Sequence, residues 1–476
     1  MGGEERFSPP PCLFTGEVAA KPTEGAQGRK RCLCERLPLP APALPEGTPR
    51  PAKRSDSLTA TPPTLAIWII AGAATLGVVA RPFRLPEAVW AVAGAALLLV
   101  LGLLPWTDGL SAVGKGLDVY LFLTGMMLLS ETARREGLFE WVATHAVNRA
   151  DRSPRRLFLL IYGVGVVVTT FLSNDATAVV LTPAVYAATK AARVKPLPYL
   201  FICAFIANAA SFVLPISNPA NLVLYADHTP PLGAWLSSFA LPSALAIGAT
   251  LAILMWVERR NLGQTCEGDI AAPVLSGGGR TALIGIGLTA VAMITVSALG
   301  AQLGLPACLL GALTTTLVLI RKREKPWATL KGVSWSILPL VAALFILVEA
   351  LNRTGLADRL AEVLSAASRA SAPLAAAGAG ALIAFGSNLV NNLPAGLIAS
   401  ATILKAHPPR PVVDALLIGV DLGPNLSITG SLATILWLTA IRREGEAVGF
   451  WRFLKVGAVV MPPALVLAIG ARLLMG

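Results

Sequence analysis

LSNDATAVVLTP (172–183) sits at the centre of an apolar stretch running from 155 to 192, and GSNLVNNLPAG (386–396) at the centre of another from 373 to 403. Each stretch exceeds the roughly 20 residues that one helix needs to cross hydrocarbon. A continuous membrane helix has no reason to carry Asn174-Asp175 or Asn391-Asn392-Leu-Pro394 at mid-depth. Both stretches are therefore expected to be re-entrant hairpins, whose irregular tips are tolerated only where protein buries them or a watery cavity receives them.

Working outward, the rest of the chain has the same character. Of 476 residues, 55% are hydrophobic and only 14% charged, against about 25% charged in an ordinary soluble domain. Apolar runs of spanning length lie at 64–80, 86–104, 117–133, 198–226, 232–257, 281–299, 303–320, 335–351, 411–440 and 449–474. The expected fold is an all-α polytopic membrane protein with about ten transmembrane helices, two re-entrant hairpins and two broken helices. The broken helices are 198–226 and 411–440, because Pro215, Pro219 and Pro424 each remove a backbone donor and free a carbonyl. The segments 138–150 and 356–370 are amphipathic and fit interfacial supports beside the hairpins.

The net charge of +12 is not a nucleic-acid signal, since the basic residues form no stripe. They cluster in short segments between apolar runs, and most of those beyond the tail fall in 81–85, 134–156, 190–197, 258–280, 321–334 and 441–455. That asymmetry assigns these loops to the cytoplasm. It also supports the first hairpin, because Arg149–Arg156 and Lys190–Lys195 flank it on one side. The localisation that follows is the cell (inner) membrane. Residues 1–60, rich in Pro, Gly and charge, are expected to be a disordered tail. Arg50, Lys53 and Arg54 conflict with an outside N-terminus, so a natural start nearer residue 60 is expected; mass spectrometry of the mature N-terminus decides this.

The two halves resemble each other in order. Glu131-x₅-Gly137-Leu138 recurs as Glu349-x₅-Gly355-Leu356, the Asn174 tip as Asn391, and NAASFVLPISNPANLVL from Asn208 as DLGPNLSITGSLATILW from Asp421. An odd number of crossings per copy turns the second copy upside down. Units 61–260 and 281–476 are thus expected to be inverted repeats, a signature of secondary transporters.

Polar residues at membrane depth concentrate in four clusters: Ser173, Asn174, Asp175 and Thr177; Asn208, Ser217, Asn218 and Asn221; Asn388, Asn391 and Asn392; and Asp421, Asn425, Thr429, Gly430 and Ser431. Taken singly, such residues often do no more than cap helix ends. Together they offer a neutral hydrogen-bonding cage without Lys or Arg, which favours a small polyhydroxylated neutral solute or a cation over a di- or tricarboxylate. Intramembrane carboxylates usually line an ion pathway or proton relay, so Asp175 and Asp421 are the candidates for proton coupling, while Glu131 and Glu349 fit an interfacial place equally well. The cysteines and three histidines are scattered, so neither a metal site, a disulfide framework nor a cofactor is expected. Cys203 and Cys308 read as small core residues.

LSNDATAVVLTP (172–183), NAASFVLPISNPANLVLY (208–225), NNLPAG (391–396) and GVDLGPNLSITGSLATILWL (419–438) resemble the bacterial arsenite/antimonite permeases of the ion transporter superfamily. The resemblance runs from about residue 64 to the end. It implies export of arsenite and antimonite, both uncharged trihydroxides at neutral pH. Family positions would fall on Asn174, Asp175, Asn208, Asn218, Asn221, Asn391, Asn392, Asp421, Thr429 and Ser431. Such carriers act alone on the proton gradient or with a soluble arsenite-stimulated ATPase. This chain has no GxxxxGK[ST], so any ATP use belongs to such a partner. Two alternatives stay open: a sodium/proton antiporter or sodium-coupled anion carrier of the same superfamily, and, remotely, an intramembrane enzyme, for which neither HExxH nor a clustered acidic metal site is present. The oligomeric state, a homodimer included, is not written in the sequence.

Overall fold

The computed structural model describes residues 62–225, 229–263, 266, 267, 270, 271 and 273–476; the expectations for residues 1–60 lie outside them. The described residues form helices and connecting turns, with no strand among them. The chain begins with α1 (Pro62–Ala80), α2 (Glu87–Val100), α3 (Trp106–Gly114), α4 (Leu117–Arg135) and α5 (Leu138–Arg149). The first hairpin follows: α6 (Pro154–Phe171) descends, and α7 (Asn174–Ala176), a π-turn at Thr177–Leu181 and α8 (Thr182–Ala191) return. The first broken helix is α9 (Leu197–Ala209) and α10 (Pro219–Tyr225), succeeded by the long α11 (Leu232–Val257).

Next come α12 (Gly277–Ala298), α13 (Gly304–Lys322), α14 (Trp327–Gly332), α15 (Ile337–Arg353) and α16 (Leu356–Ala370). The second hairpin is α17 (Ala372–Val390) with α18 (Asn392–Ala406); the second broken helix is α19 (Arg410–Leu422) with α20 (Leu432–Arg443), and α21 (Phe450–Leu474) closes the chain.

Seven of these helices are long and apolar enough to cross a membrane unaided, or nine if each bent pair is one span. Two of the seven, α6 and α17, are hairpin arms, so five of the ten expected spans are single long helices; of the other five, two lie in the bent pairs, two are the broken helices and one is the 14-residue α2. The run 86–104 ends as a helix at Val100, where Gly102 adopts a φ of +66°, and the chain restarts as α3, which the hydropathy pattern does not separate. The broken helices leave halves too short to span alone. The pair α15 and α16 bends by 73°, in keeping with an amphipathic α16 turning away from the span.

Lipid tails are as apolar as leucine, so helices here associate through close packing rather than hydrophobic burial. The α4–α13 crossing shows how: a Cβ on Gly125 would meet the Ala307 backbone, and one on Gly311 would meet Gly125. Where α19 packs on α17, a Cβ on Gly419 would meet the Gly380 backbone, and one on Gly423, just past α19, the Ala384 backbone. Trp437 of α20 anchors the centre, fully buried, with its indole N–H donating to the Leu200 carbonyl at 2.8 Å and its ring 5.8 Å from Phe201.

Candidate functional site

Both hairpins turn on one residue held in an unusual backbone conformation. Ser173 has φ 129° and ψ 164°, and Asn391 has φ 76° and ψ 154°. That region is nearly glycine-only and costs about 1–3 kcal/mol for other residues. Each side chain offsets part of the strain by capping the returning helix: Ser173 Oγ accepts from Ala176 N at 3.4 Å, and Asn391 Oδ1 from Leu393 N at 3.4 Å. By backbone geometry, then, Asn391 corresponds to Ser173, and Asn392 to Asn174.

The two broken helices cross each other through their side chains. Asn218 Nδ2 donates to Asp421 Oδ1 at 2.8 Å, and Ser431 Oγ donates to Asn208 Oδ1 at 3.1 Å. Asn208 and Asp421 each lie one residue before the end of the helix preceding the break; Asn218 and Ser431 each immediately precede the helix that follows it. The contacts are thus reciprocal, the end of each first half touching the start of the other's second half. Asn425 adds to the link, donating to Phe205 O at 3.0 Å and accepting from Asn208 Nδ2 at 3.0 Å.

The remaining candidates bond backbone groups near the breaks and tips, or neighbouring side chains. Asn221 Nδ2 reaches the Ser211, Leu214 and Pro215 carbonyls at 2.9–3.3 Å. Ser217 donates to Thr170 O at 3.1 Å, and Thr177 shares a 2.8 Å bond with Thr169. Asn388 accepts from Ser427 and donates to Gly423 O, Thr429 donates to Asn388 O, and the Gly430 carbonyl accepts from Asn392 N. These residues make the site rigid rather than line it.

Only Asn174, Asp175, Asn218 and Asn392 of the candidates face one cleft, a cavity of ≈ 10 Å³ between the hairpin tips and α10. Asp421, fully buried, reaches it through Asn218, and its Oδ2 has no hydrogen-bond partner among the described residues. Such a volume holds about one water, so a solute enters only if the tips and broken helices separate. Its polar lining is three amides and one carboxylate, with no Lys or Arg.

Sequence reasoning missed several polar residues. Asp414 and Arg472 form a buried ion pair at 2.7 Å, and Tyr225 donates to Asp414 at 2.8 Å, tying α10, α19 and α21 together. Asp414 lies near the start of an apolar run, where a charge normally marks an interface, so no local signal betrays it. Thr434, bonded to both Ser431 and Asn208, was legible as the third residue after a capping serine. Glu131 is buried and held by Arg134 at 2.6–2.7 Å, whereas Glu349 pairs with the exposed Lys115 at 3.1 Å. Among the described residues, no His/Cys/Asp/Glu group could hold a metal ion.

Two hairpins and two broken helices meeting at a polar cleft inside a multi-pass helical bundle define the architecture of a secondary transporter. The chain belongs to the family described as citrate transporter (CitMHS), whose model matches residues 65–424. It is similar to the arsenical pump membrane protein of Yersinia enterocolitica, at 28% identity over 73% of this chain and 83% of that one. An uncharacterized transporter of Mycobacterium tuberculosis is 30% identical over 74% of this chain and 84% of its own length. In fold it resembles the YdaH transporter of Alcanivorax borkumensis, with a TM-score of 0.52 at 17% identity, over 87% of this chain and 97% of that one. The protein is accordingly a multi-pass cell-membrane carrier, and its named relatives are transporters rather than enzymes.

Proposed function

We propose that this carrier exports arsenite and antimonite from the cytoplasm in exchange for protons. The observation that carries the reading is the lining of the central cleft: Asn174, Asn218 and Asn392 with Asp175, and no basic side chain. Uncharged trihydroxides can exchange their water hydrogen bonds for bonds to such amides. A citrate trianion would meet Asp175, and Asp421 behind Asn218, with no fixed cation to offset them. The family's description as citrate transporters therefore does not carry over to the substrate here, whereas the name of the Yersinia relative fits.

Units 61–260 and 281–476 act as inverted repeats, and the reciprocal Asn218–Asp421 and Asn208–Ser431 contacts support that reading. One unit moves against the other to open the cleft to each side in turn. Asp175, at the cleft, and Asp421, with an unpartnered oxygen, carry the protons.

The test is arsenite accumulation in cells stripped of their own arsenic efflux, with and without this protein. Lower accumulation that a protonophore abolishes is the expected result. Unchanged accumulation despite verified insertion sinks the proposal; repeating the assay with sodium gradients, or with an arsenite-stimulated ATPase co-expressed, identifies which alternative holds.

A further inference from the structure

Three cavities follow one another along α4. An outer one of ≈ 260 Å³ is lined by Val119, Leu222 and Leu397, with the Lys115–Glu349 pair beside it. The central cleft is lined by Leu123, and an inner cavity of ≈ 50 Å³ by Leu123, Met126 and Ser130. Val119, Leu123, Met126 and Ser130 recur at i, i+4, i+7 and i+11, a single stripe of a helix. At 1.5 Å per residue the stripe covers about 16 Å, more than half the hydrocarbon core. The neighbouring face of α4 is committed elsewhere: Gly125 lies on α13, and Thr132 bonds Thr315 at 2.9 Å.

The two approaches to the cleft are unequal. The inner cavity shares Leu123, Asp175 and Ile337 with it, so the two are contiguous. The inner cavity also borders Gly332 and Ser334, in a basic loop assigned to the cytoplasm. The outer cavity shares no lining residue with the cleft. Its Val119 and Leu397 sit four residues along their helices from Leu123 and Leu393, and its Leu222 three residues along α10 from Pro219, all of which line the cleft. One helical turn, about 5.4 Å, of aliphatic side chain therefore separates the cleft from the outer cavity.

We infer that the solute path runs along this stripe of α4, and that Val119, Leu222 and Leu397 are its exterior gate. No residue of this stripe belongs to the four polar clusters. The inference rests on the transport reading above but not on the identity of the solute.

The experiment introduces single cysteines into the full-length chain with its native cysteines replaced, each variant first checked for monodisperse size-exclusion behaviour. A membrane-impermeant thiol reagent is applied to right-side-out and inside-out vesicles, without arsenite. Val119→Cys is expected to react only from outside, Ser130→Cys only from inside, and Thr132→Cys from neither. In a Leu222→Ala background, Leu123→Cys gains reactivity from outside that it otherwise lacks. The inference is overturned if Val119→Cys and Ser130→Cys label from the same side or not at all, if Thr132→Cys labels as fast as Ser130→Cys, or if Leu222→Ala leaves Leu123→Cys shielded from outside. Because no arsenite is present, a chain that labels as expected but exports no arsenite refutes the substrate and leaves the path standing.

Discussion

Replacing Arg472 with methionine tests how strongly the ends of the broken helices are tied. Arg472 Nε lies 2.7 Å from Asp414 Oδ2, with the two side chains 5% and 0% exposed. Removing one partner of a buried pair costs about 3–5 kcal/mol, because the other charge is left in a poor solvent. Two groups soften the loss: Tyr225 keeps its 2.8 Å bond to the other oxygen, and Arg410, 3.8 Å from Oδ2 and half-exposed, offers a weak substitute. An exposed partner of that kind contributes at most about 1 kcal/mol. The net destabilisation is therefore about 3 kcal/mol, or a fall of roughly 3 °C in the apparent unfolding midpoint of a chain this long. The assay is thermal challenge of detergent-solubilised protein followed by size exclusion. Asp414→Asn combined with Arg472→Met removes the orphaned charge while keeping an acceptor for Tyr225, and should recover most of the loss. If the double variant is no more stable than Arg472→Met alone, the two residues are not energetically coupled and the reasoning fails.

Other substitutions probe other joints. Asn425→Ala removes the bonds to Phe205 O and from Asn208 Nδ2 in a buried crossing, while Asn208 Nδ2 keeps Thr434 at 3.2 Å, so the loss should be about 1–2 kcal/mol; thermal stability and solute efflux should fall together, and loss of neither would show the link to be slack. Gly125→Ala forces α4 away from α13, and yields of monodisperse protein should collapse, whereas Gly163→Ala, whose Cβ meets open space, should stay within about 0.5 kcal/mol of wild type. Asp421→Asn keeps a polar partner for Asn218 and should leave folding intact while flattening the pH dependence of efflux; an unaltered pH profile removes Asp421 from proton coupling. Asn391→Gly relieves a φ of 76° but removes the cap to Leu393 N, so its melting midpoint should shift little, while Asn391→Val, strained and uncapped, should lose about 2 kcal/mol.

The hairpins and breaks were legible because a membrane makes local exceptions conspicuous. An Asn-Asp or Asn-Asn-x-Pro in mid-run has few physical explanations, and Pro215, Pro219 and Pro424 mark where helical bonding must stop. What the sequence does not carry is the division of labour among chemically alike residues. Asn174, Asn218 and Asn392 face the cleft while Asn208, Asn221 and Asn388 brace it. That difference depends on helix phase and on which tertiary partner lies opposite, whether Ser211 for Asn221, Gly423 for Asn388 or Asn425 for Asn208. Asp414 escaped for the same reason, since its counter-charge lies on another helix. The stripe on α4 escaped because it is aliphatic for most of its length and looks like any other core face.

The crossing of the broken helices has one more consequence. Points near the axis of a rotation travel least, so bonds made at a crossing can persist while the outer ends swing. Of the two crossed bonds, Asn208–Ser431 joins neutral groups and Asn218–Asp421 involves a carboxylate. A proton arriving at Asp421 would thus leave one bond of the pivot unaltered and weaken the other. On the proposed coupling, the pivot's stiffness, and not only the cleft's charge, would be a quantity that a proton gradient sets.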